Sequence, residues 1–243
     1  MNEALRHLRV DLHTHTCLSP CGDARMIPPR ILRTAAEKKI DVIGISDHNT
    51  AENVAAVQEI ACDYGVTVIG GMEVTTQEEA HILAFFDRMD QLEEFQAFIY
   101  RYLHGSNSPS DFGHQWVVDS EGGVIDMNPR LLIGATELSV QQVTDAIHGL
   151  SGVAIAAHVD RQTFSILGQL GFIPDDLELD AVELSPFYRR SGFDPDSVML
   201  PCVTFSDAHY VEEIGRSWID AVVADPSVEE LRKALAGDDG RSI

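Results

Sequence analysis

Leu8-Arg9-Val10-Asp11-Leu12-His13-Thr14-His15 is a short apolar run that turns, at its carboxyl end, into a row of metal-binding side chains. The arrangement recurs along the chain. Further apolar runs bounded by turn residues occupy 41–46, 66–70, 80–86, 153–157, 180–184 and 202–206. Most candidate ligands sit at or just past the ends of these runs: Asp47-His48, Gly71-Met72-Glu73, His81, His158 and Ser206-Asp207-Ala208-His209. Segments with helical spacing, at 28–39, 51–64, 91–104, 139–149, 161–171 and 227–236, separate most of them. This alternation predicts an α/β fold of parallel strands wrapped by helices, and seven units in 243 residues predict a closed or nearly closed barrel. A barrel gathers the carboxyl ends of its strands at one mouth, so ligands remote in sequence converge there.

Imidazole nitrogen and carboxylate oxygen together suit zinc, manganese or iron, and so many of them can hold more than one ion. In an extended strand His13 and His15, two residues apart, face the same side. Asp47-His48 reads less specifically, because Asp-His-Asn-Thr also makes a turn ahead of a helix starting near Glu52. His7, His104, His114 and His148 fall outside the pattern and are expected to be surface or core residues.

The hydrophobic content of 44% in 243 residues fits a single domain, 1–243. Residues 105–128 break the alternation with Ser, Asn, Gly and Pro clusters; Phe112, Trp116 and Val117 give this excursion something to bury and favour a lid. There is no apolar stretch of membrane-spanning length and no secretion-signal pattern, which points to the cytoplasm. Cys62 and Cys202 read as small core residues, whereas Cys17 and Cys21 follow His15 closely enough to be thiol bystanders of a metal site, or less readily its ligands. The net charge of −22 and the lack of a Lys/Arg run disfavour large nucleic acids. Bound cations would still draw a small phosphorylated molecule to the mouth.

In order and spacing the blocks Asp-Leu-His-Thr-His-Thr, Ile-Ser-Asp-His-Asn-Thr, Gly-Met-Glu-Val, Ala-His-Ile-Leu, Ala-Ala-His-Val and Ser-Asp-Ala-His resemble the PHP (polymerase and histidinol phosphatase) domain family, over residues 10–218. The resemblance implies a distorted seven-stranded barrel, a centre of two or three divalent ions, and phosphoesterase activity. It places one ion on His13, His15, Glu73 and Asp207, a second on Glu73, His81 and His158, and a third on Asp23, His48 and His209. Asp23 enters by counting back from Pro28, since Ser19-Pro20-Cys21-Gly22-Asp23 is longer by two residues than the family's usual Ser-Asp-Gly.

A bridging carboxylate such as Glu73 keeps two cations about 3.5–4 Å apart, where a bridging hydroxide is a strong nucleophile near neutral pH. The expected reaction is therefore hydrolysis of a small phosphorylated molecule, with Glu73 and Asp207 acting through that hydroxide. Asp11 and Asp47 are expected to orient ligand imidazoles, or else to face solvent or cap a helix. Arg161 and Arg216 are candidates to clamp phosphoryl oxygens, or else surface or capping residues, and Glu183 points to the same mouth or pairs with one of them. Two other readings stand beside this one. An amidohydrolase-like enzyme would also carry a first-strand histidine pair, although the chain's only lysines, Lys38, Lys39 and Lys233, all fall in helical segments. A non-catalytic metal-binding module would need only one closed ligand set.

Overall fold

The computed structural model describes residues 4–243. Strands β1 (Arg6–Asp11), β2 (Val42–Ile45), β3 (Thr67–Thr75), β4 (His81–Phe86), β7 (Val153–Ala156), β8 (Ala181–Leu184), β9 (Cys202–Thr204) and β10 (Ile219–Val223) form one sheet. Strands β5 (Trp116–Val118) and β6 (Val124–Met127) form a separate hairpin. The main helices are α1 (Pro28–Glu37), α2 (Val54–Tyr64), α3 (Met89–Tyr102), α5 (Val140–Gly149), α6 (Ile166–Leu170) and α8 (Val228–Ala236). Single turns α4 (Pro109–Phe112) and α7 (Tyr188–Ser191) lie in loops.

All seven apolar runs are strands, and the sheet order is β10-β1-β2-β3-β4-β7-β8-β9. The sheet thus has eight members where the sequence pattern counted seven. The added strand, β10, runs antiparallel to β1 from Arg6↔Val223 to Val10↔Ile219. Its signal was a short alternation, with Ile219, Ala221 and Val223 inward and Asp220 outward. At the other edge β9 reaches back to β1 beyond both strand ends: His15 N donates to the Ala208 carbonyl at 2.9 Å and Ala208 N to that of His13 at 3.1 Å. These bonds nearly close the sheet at the mouth.

The expectation of uniformly parallel strands fails at β4, which is antiparallel to both β3 and β7. The reason is length. Strand β3 continues through Glu73 to Thr75, leaving only residues 76–80 before His81, and a parallel crossover needs a dozen residues or more. Because β4 runs the other way, His81 at its amino-terminal end lies beside the carboxyl ends of its neighbours.

Two apolar layers hold the sheet. Val10, Leu12, Ile69, Leu83, Phe85, Val153, Ile155, Val203 and Phe205 fill the interior, and Val228, Leu231 and Leu235 of α8 join them at the end opposite the mouth. There Asp87, just past β4, accepts the Val228 amide at 2.6 Å and caps α8. The outer layer packs Ile31, Leu32, Val57, Leu92, Phe95 and Val143 of the helices against outward-facing strand residues such as Ile43, Ile45 and Ile82. Each fully buried side chain of this size contributes about 1.5–3 kcal/mol.

Gly44 shows how tightly β1 and β2 meet, since a Cβ there would lie 2.3 Å from the Leu12 carbonyl oxygen. Gly44→Ala is expected to cost about 1–3 kcal/mol through backbone displacement, and to disturb the segment that leads into His13. Urea unfolding measures it. An unchanged midpoint would mean that the strands separate without penalty.

Helix α6 is shorter than the sequence spacing indicated, because residues 161–165 form an irregular loop that includes Phe164 at φ +56°. The 105–128 excursion holds α4 and the β5–β6 hairpin. Asn53 anchors it, donating to the Trp116 carbonyl at 3.1 Å and accepting from Val118 N at 2.9 Å. Val118 is buried, while Phe112, Val124, Ile125 and Met127 remain exposed.

Candidate metal centre

Strand ends from across the chain place five imidazoles around one carboxylate, that of Glu73. Its Oε2 lies 3.5 Å from His13 Nε2, 3.3 Å from His15 Nε2 and 3.1 Å from His48 Nδ1. Its Oε1 lies 2.7 Å from His81 Nδ1 and 3.2 Å from His158 Nε2. Strand register explains this. Glu73 pairs with Leu83 and Thr75 with His81, so Glu73 and His81 are diagonal neighbours on one face of the hairpin. His48 bridges to Glu73 from the end of β2.

Asp207 completes the first set, with Oδ1 at 3.3 Å from His13 Nε2 and 3.6 Å from His15 Nε2. The two Nε2 atoms are 3.2 Å apart. Four donors at zinc-ligand distances in a tetrahedron are separated by about 3.3–3.5 Å. The separations among His13, His15 and Glu73, 3.2–3.5 Å, are close to that figure, so these three residues fit a divalent ion, with Asp207 Oδ1 beside the two imidazoles. Glu73 with His48 and His81, and His15 with His48 and His209, also bring ligand atoms within 4.8 Å of one another. His48 Nδ1, 3.1 Å from Glu73 Oε2, is buried and makes no hydrogen bond of good geometry, which leaves its lone pair free for a cation.

The tautomers follow from the hydrogen-bond network. His13 Nδ1 lies 3.0 Å from both oxygens of buried Glu183, which fixes the proton there and turns the Nε2 lone pair inward. His15 Nδ1 lies 2.9 Å from Ser19 Oγ, and that hydroxyl donates to Asp47 Oδ1 at 2.6 Å. Asp47 therefore orients His15 through Ser19. Asp11, its carboxyl pushed up to about 6 by burial, accepts from Ser206 N and Gly215 N. It fixes the loop carrying Asp207 and touches no imidazole directly.

Two candidate ligands sit in the left-handed backbone region, His158 at φ +31° and Asp207 at φ +46°. Such conformations cost on the order of 1–3 kcal/mol each and persist only when surrounding bonds enforce them. His158 N donates to Glu183 Oε2 at 3.0 Å, so one carboxylate sets both His13 and His158. Asn49, at φ +52°, joins three segments: its amide donates to the Leu132 and Gly134 carbonyls at 2.8 Å and accepts from Thr75 N at 3.1 Å.

Burial opposes charge on His13, His15, Glu73 and Asp207, yet their pairings prevail. Despite desolvation, Glu183, Asp207 and Glu73 hold His13 well above the usual histidine range, and bonds to Asp207 and Glu73 raise His15 to about 9. The Glu73 and Asp207 carboxyls, although buried, lie well below theirs because of the surrounding imidazoles. Burial wins at His48, His158 and His209, the last lowered to about 3. Pairing thus favours a proton on His13 and His15, and burial disfavours one on His48, His158 and His209.

Several expected residues take other places. The Asp23 carboxylate turns outward to Arg25 Nε at 2.9 Å and belongs to none of the three ligand groups; His15 stands with His48 and His209 instead. The Asp23 backbone still lies beside the centre, its N–H donating to the His209 carbonyl at 2.8 Å, so it is the side chain's pairing with Arg25 that keeps the carboxylate out. Arg216 spends its guanidinium on the Ser206 and Asp207 carbonyls and on Glu213, the geometry of a loop brace. Arg161 faces the site and binds Asp207 Oδ2, leaving Oδ1 toward the histidines. No cysteine joins a ligand group among the described residues, and burial pushes the Cys17 thiol up to about 12. Ser19 and Asn49 went unread in the sequence, being visible only as small polar residues within the motif loops.

Removing the Glu183 carboxylate tests its positioning role. Glu183→Ala is expected to weaken metal affinity about 10–100-fold, measured by competition with a chromophoric chelator. An unchanged affinity would show that His13 needs no such partner.

Several known proteins are similar to this chain. Endonuclease Q of Pyrococcus furiosus, a lesion-specific endonuclease, superposes with TM-score 0.73 at 21% identity, over 98% of this chain and 58% of its own. At that identity the likeness is one of fold. Another structure of endonuclease Q holds a 27-mer duplex with an abasic lesion at the active site. MJ1587 of Methanocaldococcus jannaschii is 26% identical over 193 residues, 76% of this chain and 85% of its own. Phosphoribosyl 1,2-cyclic phosphate 1,2-diphosphodiesterase of Eggerthella lenta is 30% identical over 78 residues, 30% of this chain and 29% of its own.

The endonuclease structures overturn the expectation that net charge disfavours nucleic acid. A charge of −22 is a sum over the whole surface, whereas binding reads the local potential. The fold also brings Arg161, Arg189, Arg190 and Arg216 onto the loops after β7, β8 and β9, where the sequence showed no basic run longer than two residues. A sequence model of the PHP domain matches residues 11–171, two-thirds of the chain. With that match and a glutamate-centred cluster of histidines at the barrel mouth, the chain belongs to the PHP domain family of metal-dependent phosphoester hydrolases.

Proposed function

We propose that this protein is a metal-dependent phosphodiesterase. The observation that carries this reading is Glu73, whose two oxygens face two different sets of imidazoles, so that one carboxylate serves adjoining cation sites. Zinc, manganese or iron fits the mixed nitrogen and oxygen donors. Ions held here would supply positive charge at the phosphoryl oxygens and a water acidified to near neutrality.

The chain's own residues do the positioning. Glu183 and the Asp47–Ser19 pair keep the His13 and His15 lone pairs inward, and Arg161 holds Asp207 in register beside the mouth. A diester is favoured over a monoester because the endonuclease and the cyclic-phosphate diesterase named above both act on diesters. A nucleic-acid strand stands beside the small phosphorylated molecule as substrate. The amidohydrolase reading loses ground, as Lys233 is paired with Glu229 and Glu230 and neither Lys38 nor Lys39 joins the centre.

The test is elemental analysis of the purified protein, followed by hydrolysis of bis(4-nitrophenyl) phosphate and 4-nitrophenyl phosphate. Faster turnover of the diester is expected. Preference for the monoester would reject the diesterase assignment, and inactivity on both with metal bound would reject the phosphoesterase reading altogether.

A further inference from the structure

Phe164 is an apolar side chain in an unexpected place. It lies six residues after His158, on the loop between β7 and α6, with its ring centroid 5.1 Å from that of His81 and the planes 26° apart. One face is stacked on a candidate ligand, yet the residue remains 45% exposed. Its backbone is left-handed at φ +56°, a region that bulky L-residues rarely enter. Neighbouring bonds hold it there: His81 N donates to the Phe164 carbonyl at 3.1 Å, and Ser165 Oγ donates to the Arg161 carbonyl at 2.6 Å while capping α6. A residue needed only to cover His81 would not have to keep a flat face in water.

The loop after the adjacent strand, β8, carries a second exposed ring. Phe187, on the loop after β8, is 50% exposed, and the guanidinium carbons of Arg190 and Arg216 lie 5.4 and 5.3 Å from its ring centroid. Arg216 joins this surface to the centre through the Asp207 carbonyl at 3.1 Å. Exposed aromatic rings beside guanidinium groups are the chemistry that holds unpaired bases and their phosphates.

Building on the phosphodiesterase reading, we infer that the scissile phosphate carries a neighbouring unstacked nucleobase, which lies on the open face of Phe164, while the Phe187–Arg190 side faces the adjoining phosphate. Phe164 is thereby a substrate-binding residue. The base arrives either on a free nucleotide or on a strand.

The experiment follows 2-aminopurine fluorescence, which stacking quenches, on mixing the zinc-loaded protein with 2-aminopurine nucleotide or with a single-stranded oligonucleotide containing it. Quenching is expected with the wild type, and tighter binding of the oligonucleotide than of the nucleotide would identify a strand as the source. Phe164→Ala is expected to weaken binding about tenfold and remove most of the quenching; Phe164→Trp is expected to retain both. Phe164→Leu, which keeps apolar bulk over His81, should lose the quenching with zinc content intact. Equal quenching by wild type and the Leu variant, or no quenching of either ligand by a protein that hydrolyses bis(4-nitrophenyl) phosphate, would overturn the inference. Quenching through Phe164 without hydrolysis of any phosphoester would instead sink the phosphodiesterase reading and leave base binding in place.

Discussion

Glu73→Gln is expected to lower kcat/KM on bis(4-nitrophenyl) phosphate by about a thousandfold or more, corresponding to about 4 kcal/mol of lost transition-state stabilisation. Glutamine is nearly isosteric, so the strand and its register should survive. What changes is the donor set. The carboxylate gives one oxygen to His13, His15 and His48 and the other to His81 and His158. An amide offers one oxygen and one NH2 group, which has no lone pair for a cation. One of the two sets therefore loses its anion. Metal content and kcat/KM measured on the same sample decide the matter. Activity within tenfold of wild type at full metal occupancy would show that Glu73 does not serve two cations.

Stripping the metal should have the second-largest effect, with a pH dependence of known sign. Ligand present at about 1,000 times its dissociation constant stabilises the folded state by about 4 kcal/mol. For a chain of 243 residues that corresponds to a fall in Tm of about 10 °C on chelation. His15 keeps its proton to about 9 in the metal-free centre, above its ordinary 6.5, because its bonds to Asp207 and Glu73 outweigh burial. Its contribution to stability is fully present below pH 6.5 and is lost as pH rises through about 9. A cation must displace that proton, so metal affinity should rise over the same interval. The Tm gap between loaded and stripped protein is thus expected to widen from pH 6.5 to pH 9. Calorimetry across that range checks it; a gap that narrows would show that His15 is already neutral before metal binds.

Much of this centre was legible in the order of its motifs. His13, His15, Glu73, His81, His158 and Asp207 follow from ligand-type residues placed near the ends of apolar runs, and the fold brings them within a few ångströms of one another. His48 and His209 were also readable, but their company was not. Asp23 was counted into their set along the chain, and its backbone does lie against His209, but its carboxylate pairs with Arg25. Counting along the chain placed the residue, not the direction of its side chain.

Local sequence by itself determined seven of the sheet's eight strands, the places of the main helices and the chemical type of the site, because side-chain period and ligand chemistry are properties of short stretches. Tertiary structure alone decided that β4 runs backwards, that β10 joins as an eighth strand, that Glu183 and Ser19 fix the imidazole tautomers, and that arginines scattered over three loops share one rim. Each of these depends on which remote segments become neighbours. That is settled by the burial of the whole sheet and its register, which no single stretch encodes.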